Sequence, residues 1–306
     1  MKTRRHLSLF CAAVSLSAFL VAGDASAAQK YHLRYKFRAG ETLRWNVQQR
    51  IKMRTIVGGS TQTTENIADS VKAWKVTRVS RQGAITFVHS VESVLMRTKL
   101  PGRADTVYDS TQSKTPPVGF EQVAADVGRP LVTITMNRYG KVLSRKDHRV
   151  TTEDNKNPMT IPLAGKPVAV GDHWSRRHVI SVPRKDKTFK RIKTSQRYTL
   201  KKVVDGIATI SVETVILTVV RDPAIEAQLM QRETHGTVRF DITRGRVLGQ
   251  KLNCDKRVIG HISEASSMHY VMSFEEEIIE GVRSARRPEP IGPPPPPVIG
   301  PQPPKR

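Results

Sequence analysis

The chain has 306 residues, of which 38% are hydrophobic and 25% are charged, enough for one large domain or two of ordinary size. Because 51 Lys and Arg stand against 27 Asp and Glu, the formal net charge is +24 and the pI is about 10.5. These figures exclude a collagen-like, a disulfide-rich or a polytopic membrane protein, but they do not identify a reaction.

The first 27 residues are typical of a secretory signal peptide. A positive start (Lys2, Arg4 and Arg5) precedes an apolar run over residues 7–22, and small residues at 25–27 then provide a cleavage site. The apolar run is slightly short for a membrane anchor, which is the alternative interpretation. We therefore predict cleavage after residue 27 and export to the periplasm or the exterior. The mature chain would have a net charge of about +22, and we predict that it has no transmembrane span.

Apolar and polar residues alternate clearly over positions 42–57, with Trp45, Val47 and Ile51 on the apolar side. Period two over sixteen residues is typical of a long strand with one face on a core and the other in water. The pair at 58–59 (Gly-Gly) predicts a hairpin, and residues 120–127 have helical spacing. The pattern favours a mainly β fold of the α+β class, in which long antiparallel strands curl over a short helix.

The second half of the chain repeats the order of the first. Turn glycines, valine alternations and the short helical segment recur in the same sequence, and a last strand is predicted near residues 267–279. The clearest matches are 39–45 with 170–174, 71–79 with 195–203, 90–94 with 211–215, 132–136 with 238–242, and 140–144 with 245–249. We therefore predict two similar β-rich repeats, 28–150 and 151–282. The alternative is chance similarity between valine-rich strands.

The last segment, residues 283–306, contains ten of the 19 prolines. Such a composition favours polyproline II and prevents sheet pairing, so we predict a disordered proline-rich tail. The alternative is a ligand for a proline-recognising partner or a spacer against the envelope.

Cys254 is the one cysteine left after cleavage, so no internal disulfide can form, and we expect a buried thiol.

Short motifs in this sequence are similar to those of known secreted domains. The F-x-x-G-E opening at residues 37–41, the G-D-x-W at 171–174 and the two G-x-V-L hairpins resemble a family of secreted bacterial β-rich domains of unknown function. The resemblance covers about residues 31–282. The architecture is more distantly similar to that of periplasmic lipoprotein carriers, which have the form of a half-open barrel. Neither resemblance implies catalytic residues.

Motifs of common catalytic chemistries are absent from the sequence, including G-x-S-x-G, S-x-x-K, H-E-x-x-H and C-x-x-C. Glu41 and Asp172 occupy equivalent turns and are conceivable as a carboxylate pair, although turn acids usually accept backbone N–H bonds. Residues 154–157 faintly resemble a calcium loop, but they lack its glycine and place Lys156 where an oxygen ligand belongs. We predict no catalytic residues, no metal site and no cofactor.

Positive charge is concentrated in residues 176–202, which contain eleven Lys and Arg against one acid, Asp186. The predicted patch for an anionic partner, either a lipid headgroup or an envelope polymer, consists of Arg184, Lys185, Lys187, Lys190, Arg191 and Lys193. A solvated ribbon without a partner is the alternative. The low aromatic content of 6% and the lack of a recognised motif disfavour nucleic acid.

Three functions of different classes remain open. The favoured one is an exported, non-enzymatic binding module for an apolar or lipid-like ligand, with Trp45, Val47, Ile51 and Trp174 on its apolar face. The second is an envelope-associated structural protein that adsorbs to anionic polymer or headgroups through its basic surface. The third is an enzyme whose site is assembled from both repeats. The oligomeric state is left open.

Overall fold

Long antiparallel strands form most of the chain. The computed structural model describes residues 29–149, 159–184 and 186–280. Within them the strands are β1 (Lys30–Tyr31), β2 (Thr42–Val57), β3 (Ser60–Val79), β4 (Ile85–Lys99), β5 (Thr106–Asp109), β6 (Pro130–Met136), β7 (Val142–Asp147), β8 (Val168–Ala169), β9 (His173–Pro183), β10 (Phe189–Val204), β11 (Ile207–Ile216), β12 (His235–Asp241), β13 (Arg246–Ile259) and β14 (Ser267–Ile278). The helices are α1 (Glu121–Asp126) and α2 (Pro223–Leu229), and a 3-10 turn over Met230–Arg232 extends α2.

The predicted mainly β fold is confirmed, with two similar halves of long antiparallel strands and few helices. Strand β2 has the bounds that the alternation predicts, and Gly58 and Gly59 both take positive φ angles (54° and 79°), as a type I′ hairpin requires. Both helices lie in the segments with helical spacing. Asp222 caps α2 by accepting a hydrogen bond from the Ala224 backbone N–H at 2.9 Å, and Pro223 follows at the first turn.

Both halves belong to one continuous sheet. Its order is β7-β6-β4-β3-β2, then β14, then β13-β12-β11-β10-β9, and β5 pairs with β4 at the side. Each half therefore contributes five strands in the same order, and β14 joins the halves by pairing with β13 and with β2. The boundary between the two predicted repeats, at residues 150 and 151, lies outside the described residues, as do the predicted signal peptide and the proline-rich tail.

The main core lies on one side of this sheet, which we call the inner face and which carries Trp45, Phe87 and Phe240. Side chains from both halves meet there in one cluster. Two segments that precede the halves fill its middle: Leu33, Tyr35 and Phe37 before β2, and Leu163 and Val168 before β9. The two halves thus share a core, with each inner face covered by the other half and by these two segments.

The two leading segments each pack against the hairpin turn of the opposite half. A Cβ at Gly245 would lie 2.6 Å from the carbonyl oxygen of Arg34, and one at Gly140 would lie 2.4 Å from that of Ile161. These turns therefore need glycine for close backbone approach as well as for positive φ. The backbone N–H of Lys36 donates to the carbonyl of Gly245 at 2.9 Å, which ties the N-terminal segment to the second half.

The two helices cover the inner face at the end away from the leading segments. Val123, Ala124 and Val127, in and just after α1, pack against a cluster on β4 and β5, while α2 packs on Val182 of β9 and Ile192 of β10. Each half therefore curls over its own short helix. Within residues 29–149, 159–184 and 186–280, no helix has the length and the apolar character needed to cross a membrane.

Candidate ligand-binding site

An apolar strip continues the inner face beyond the core, along the middle strands β2, β14 and β13. Cross-strand register places Ile51 opposite Met272, Met53 opposite Tyr270, and Gln49 opposite Phe274. We call the rim face the set formed by Ile51, Met53, Met268, Tyr270, Met272 and Phe274. Met272 is buried, and the other five are partly exposed. These five do not belong to the three hydrophobic clusters of the described residues.

Methionines are concentrated at this end of the inner face. Five of the eight in the chain lie on the rim face or beside it: Met53, Met268 and Met272 on the strip itself, Met96 on the α1 side and Met230 on the α2 side. Methionine is unbranched and polarisable, so surfaces rich in it adapt to apolar ligands of variable shape. The strip therefore has the composition of an adaptable apolar binding surface.

The α2 side of the strip is held by two polar contacts. Cys254 is buried, and its Sγ donates to the carbonyl oxygen of Met230 at 3.1 Å, which confirms the predicted buried thiol. Burial raises the pKa of Cys254, so the thiol is a poor nucleophile at neutral pH. Lys256 pairs with Glu233 at 2.9 Å, and this hydrogen bond raises the pKa of the lysine.

A cavity of about 100 Å³ lies next to the rim face, towards the core. Aromatic rings form much of its wall, and polar side chains project into the same space. The aromatic residues are Tyr35, Trp45, Trp74 and Tyr198, and the polar ones are Lys72, Thr160, Gln196, Thr234, Gln250 and Glu276. The cavity therefore differs in character from the apolar strip beside it.

A buried ion pair joins Lys72 of β3 to Glu276 of β14 in this cavity. Their side chains are only 16% and 4% exposed. The ammonium of Lys72 also lies 5.0 Å from the ring centroid of Trp45 and 5.4 Å from that of Trp74, within cation–π range. Glu276 is the middle residue of the acidic run 275–277, and its register with Val47 turns it inward.

Two polar atoms at the cavity have no hydrogen-bond partner among the described residues: the Nε1 of Trp74 and the Oε1 of Gln250. Their neighbours are satisfied. Trp45 Nε1 donates to the Val247 carbonyl at 3.2 Å, and Tyr35 OH donates to the Ile161 carbonyl at 3.0 Å. Burial raises the pKa of Tyr35 well above its usual range, so its hydroxyl stays neutral. One unpaired donor and one unpaired acceptor therefore belong to residues that line the cavity.

The four residues predicted for the apolar face are distributed over core and strip. Trp45 is 2% exposed and lines the cavity, and Val47 packs against the core. Ile51 lies on the rim face. Trp174 does not line the cavity itself: it stacks on Tyr198, which does, at 5.8 Å, and donates its Nε1 to the Pro162 carbonyl at 2.8 Å.

Lys72, Glu276 and the leading segment with Tyr35 are not among the residues predicted from the sequence. A signal for each was present. Lys72 and Glu276 interrupt apolar alternations at positions that face the core, and residues 31, 33, 35 and 37 (Tyr, Leu, Tyr and Phe) alternate with basic residues. Charges at inward positions of a strand are costly unless paired, so they mark a special site.

The predicted basic patch is divided between the two sides of the sheet. Arg191 and Lys193 are exposed on the outer face, whereas Lys190 lies opposite Val182 on the inner face. Arg184 and Lys187 are exposed in the turn that joins β9 to β10, and Lys185 lies outside the described residues. Two further arginines, Arg177 and Arg197, share the outer face with Arg191 and Lys193.

The two turn carboxylates serve their own turns. Glu41 accepts a hydrogen bond from the Arg38 backbone N–H at 2.9 Å and pairs with Arg246 at 3.3 Å. Asp172 accepts from the Ala169 backbone N–H at 2.9 Å. They are not joined to each other by a hydrogen bond. In the described part of the chain, no cluster of His, Cys, Asp and Glu could hold a metal ion.

A larger and more open depression of about 380 Å³ lies between outer-face side chains of β2, β12, β13 and β14. Its charged groups are already paired with each other. Lys251 contacts Glu275 at 3.0 Å, and Arg239 contacts Glu277. Since exposed pairs of this kind are solvated and weak, the depression has fewer features of a ligand site than the buried cavity.

No protein-family model matches this chain, and no curated protein matches it. The resemblance to secreted bacterial β-rich domains therefore stays a prediction. A fold of this class also serves many functions, so function must be inferred from the chemistry of the site.

Proposed function

We propose that this protein is an exported, non-enzymatic module that binds an apolar or lipid-like ligand on the rim face. The observation that carries the proposal is the partly exposed apolar strip on β2 and β14, outside the packed clusters and flanked on the inner face by α1 and α2. Burying apolar surface provides about 25 cal/mol per Å², so covering a few such side chains is enough for useful affinity.

The chemistry of the titratable groups supports binding over catalysis. Burial raises the pKa of Cys254 and of Tyr198, so both groups stay protonated at neutral pH and neither is available as an anionic nucleophile or as a general base. Glu41 and Asp172 are engaged in their own turns. The groups that meet at the cavity can therefore recognise a ligand, and they are not arranged as an acid, a base and a nucleophile.

A neutral apolar fluorescent probe, N-phenyl-1-naphthylamine, tests the rim face directly. We expect it to bind the mature chain purified without detergent, and Ile51→Gln should weaken binding about tenfold because an apolar contact becomes polar. Val271→Gln is the matched control, since Val271 lies on the outer face of the neighbouring strand, opposite Lys52. Absence of binding, or equal loss in both variants, would overturn the proposal.

Export is part of the proposal and has its own test. Expressed with its full sequence in a bacterial host, the protein should appear in the periplasm or the medium with residue 28 as its first residue, as N-terminal sequencing would show. Ala25→Asp should block the cleavage. A full-length chain retained in the membrane fraction would support the anchor interpretation instead.

A second candidate function is favoured by the outer face of β9 and β10. Arg177, Arg191, Lys193 and Arg197 are exposed on this one surface, and none of them forms a salt bridge with a described residue. Unpaired cations in a row attract anionic surfaces such as envelope polymer or lipid headgroups. The chain would then adsorb to the envelope through this face.

Cosedimentation with vesicles containing 30% phosphatidylglycerol tests the second candidate. Changing the four unpaired cations to Gln should abolish binding at low salt. The control changes four outer-face cations that already have carboxylate partners, Arg44, Lys52, Arg239 and Lys251, so the same charge is removed. Binding should also weaken as salt screens the charges. Retention that persists at 1 M salt, or equal loss in both variants, would count against it.

A further inference from the structure

We infer that the cavity at Lys72 and Glu276 is a head-group site for an uncharged polar group that has both a hydrogen-bond acceptor and a donor, such as the glycerol ester of a monoacylglycerol. This inference rests on the proposed function, because the rest of the ligand would lie on the rim face. It assigns the ligand class: a neutral amphiphile, rather than a hydrocarbon, a fatty acid or an amine.

The cavity and the rim face are contiguous along the strands. Leu252 lines the cavity and lies opposite Phe274, which belongs to the rim face. Glu276 and Gln250 are each two residues further along the same strands, on the same face. Same-face neighbours in a strand are about 7 Å apart, so one short amphiphile spans both regions.

The size of the cavity restricts it to a head group. Pockets that enclose a whole small molecule measure about 300–1,000 Å³. A volume of about 100 Å³ holds only a few non-hydrogen atoms. A ligand that uses this cavity must therefore have most of its mass elsewhere, and the adjoining apolar strip is the surface that can receive it.

The charges around the cavity select against a charged head. The ammonium of Lys72 and the carboxylate of Glu276 neutralise each other, and both are largely buried. A fatty-acid carboxylate would face the carboxylate of Glu276, and an alkylammonium would face the ammonium of Lys72. Either ligand would bury an uncompensated like charge, which is costly in a site of low dielectric. A neutral head avoids this repulsion.

The unpaired atoms define what the neutral head must contain. Trp74 is only 4% exposed, and its Nε1 can only donate, so it requires an acceptor such as an ester carbonyl. The Oε1 of Gln250 can only accept, so it requires a donor such as a hydroxyl. A hydroxylated ester satisfies both atoms, whereas a simple alkane satisfies neither.

Four probes with the same eight-carbon chain test the inference by displacement of N-phenyl-1-naphthylamine in 0.15 M salt. They are 1-octanoylglycerol, methyl octanoate, octanoate and octylamine. We expect 1-octanoylglycerol to bind at least about tenfold more tightly than octanoate or octylamine, because an unpaired buried group is costly. Methyl octanoate, which has the acceptor without the donor, should fall between them.

Charge-changing variants test the assignment of the pair. Glu276→Gln should shift the preference towards octanoate, since Lys72 would then be unopposed, and Lys72→Met should shift it towards octylamine. Glu275→Gln is the matched control, because the neighbouring Glu275 pairs with Lys251 on the outer face. Thermal melting verifies that each variant is folded, and the ranking of probes by the unaltered protein tests the inference without any variant.

The outcomes separate this inference from the proposed function. Equal affinity for all four probes, still reduced by Ile51→Gln, would overturn the head-group site and leave apolar binding standing. A preference of the unaltered protein for octanoate or octylamine would also overturn the head-group site. Failure of every probe and of N-phenyl-1-naphthylamine to bind would overturn both proposals.

Discussion

Trp45 lies on the side of β2 that the sequence predicts to face the core, and the structure buries it there. It is 2% exposed, donates to the Val247 carbonyl and lies 5.0 Å from the ring of Trp74. Trp45→Asp would place a charge in this core, and we expect a loss of more than about 4 kcal/mol in the free energy of unfolding. Urea unfolding measures it, with Asn46→Asp as the control because Asn46 is the exposed neighbour on β2. Similar midpoints for the two variants would mean that the faces of β2 are wrongly assigned.

His89 makes stability depend on pH in a defined window. Burial first, and the charge of Lys72 second, lower its pKa from 6.5 to about 4. As pH falls below 6.5 the unfolded chain takes up a proton that the folded chain refuses, so stability decreases until about pH 4 and then levels off. The contribution is about 3 kcal/mol.

Comparison of His89→Gln with the unaltered protein isolates the contribution of His89 to the pH dependence of stability, because the other groups titrate in both proteins. The unaltered protein should lose about 3 kcal/mol more stability between pH 7 and pH 4 than the variant does. His235→Gln, at an exposed position on β12, is the control and should keep the full loss. A pH dependence that His89→Gln leaves unchanged would contradict the assignment.

For single residues, the sequence predicts which face of the sheet a side chain lies on better than it predicts which residues surround that side chain. Alternation in β2 places Trp45 and Ile51 on the same face, and the structure agrees. Alternation contains no information about what covers that face. The covering segment with Leu33 and Tyr35 has only two residues in a strand, and Lys72 meets Glu276 across 204 positions of sequence. Contacts of such range do not appear in local patterns.

Among the elements, strand bounds follow from turns and periodicity. Strand β2 ends at Val57 before two glycines, and β14 covers Ser267–Ile278 where a last strand is predicted near residues 267–279. Both signals are local, so they could be predicted. The pairing of β14 with β2 could not, because it joins strands from the two ends of the described chain.

Gly236 shows how closely β12 and β13 approach each other. A Cβ at this position would lie 1.9 Å from the carbonyl oxygen of Lys251, so the strands would have to move apart. We expect Gly236→Ala to reduce the free energy of unfolding by about 1–3 kcal/mol. Thr237→Ala on the exposed side of β12 should change it by less than about 0.5 kcal/mol, as urea unfolding of both variants would show. An unchanged Gly236→Ala midpoint would indicate a wider strand spacing.

For the whole molecule, the two repeats are not independent units. The five strands of each half are in the same order, yet β14 separates β2 from β13 and pairs with both. The leading segments also pack against the opposite half. Local matches between the halves predict the repeated order. They do not determine whether the halves form two sheets or one, because the strands where the halves meet would have the same alternation in both arrangements.

The shared core predicts one cooperative unfolding transition. Leu33 is 1% exposed in the cluster that both halves form, so Leu33→Ala should cost about 2–5 kcal/mol. Hydrogen exchange measured by mass spectrometry on peptides from β4 and from β11 should then accelerate by the same factor, because both strands open in the same global event. Val118→Ala, at a position that is 92% exposed, should leave both unchanged. Acceleration confined to β4 would show that the halves unfold separately, and the common core would then contribute little to joining them.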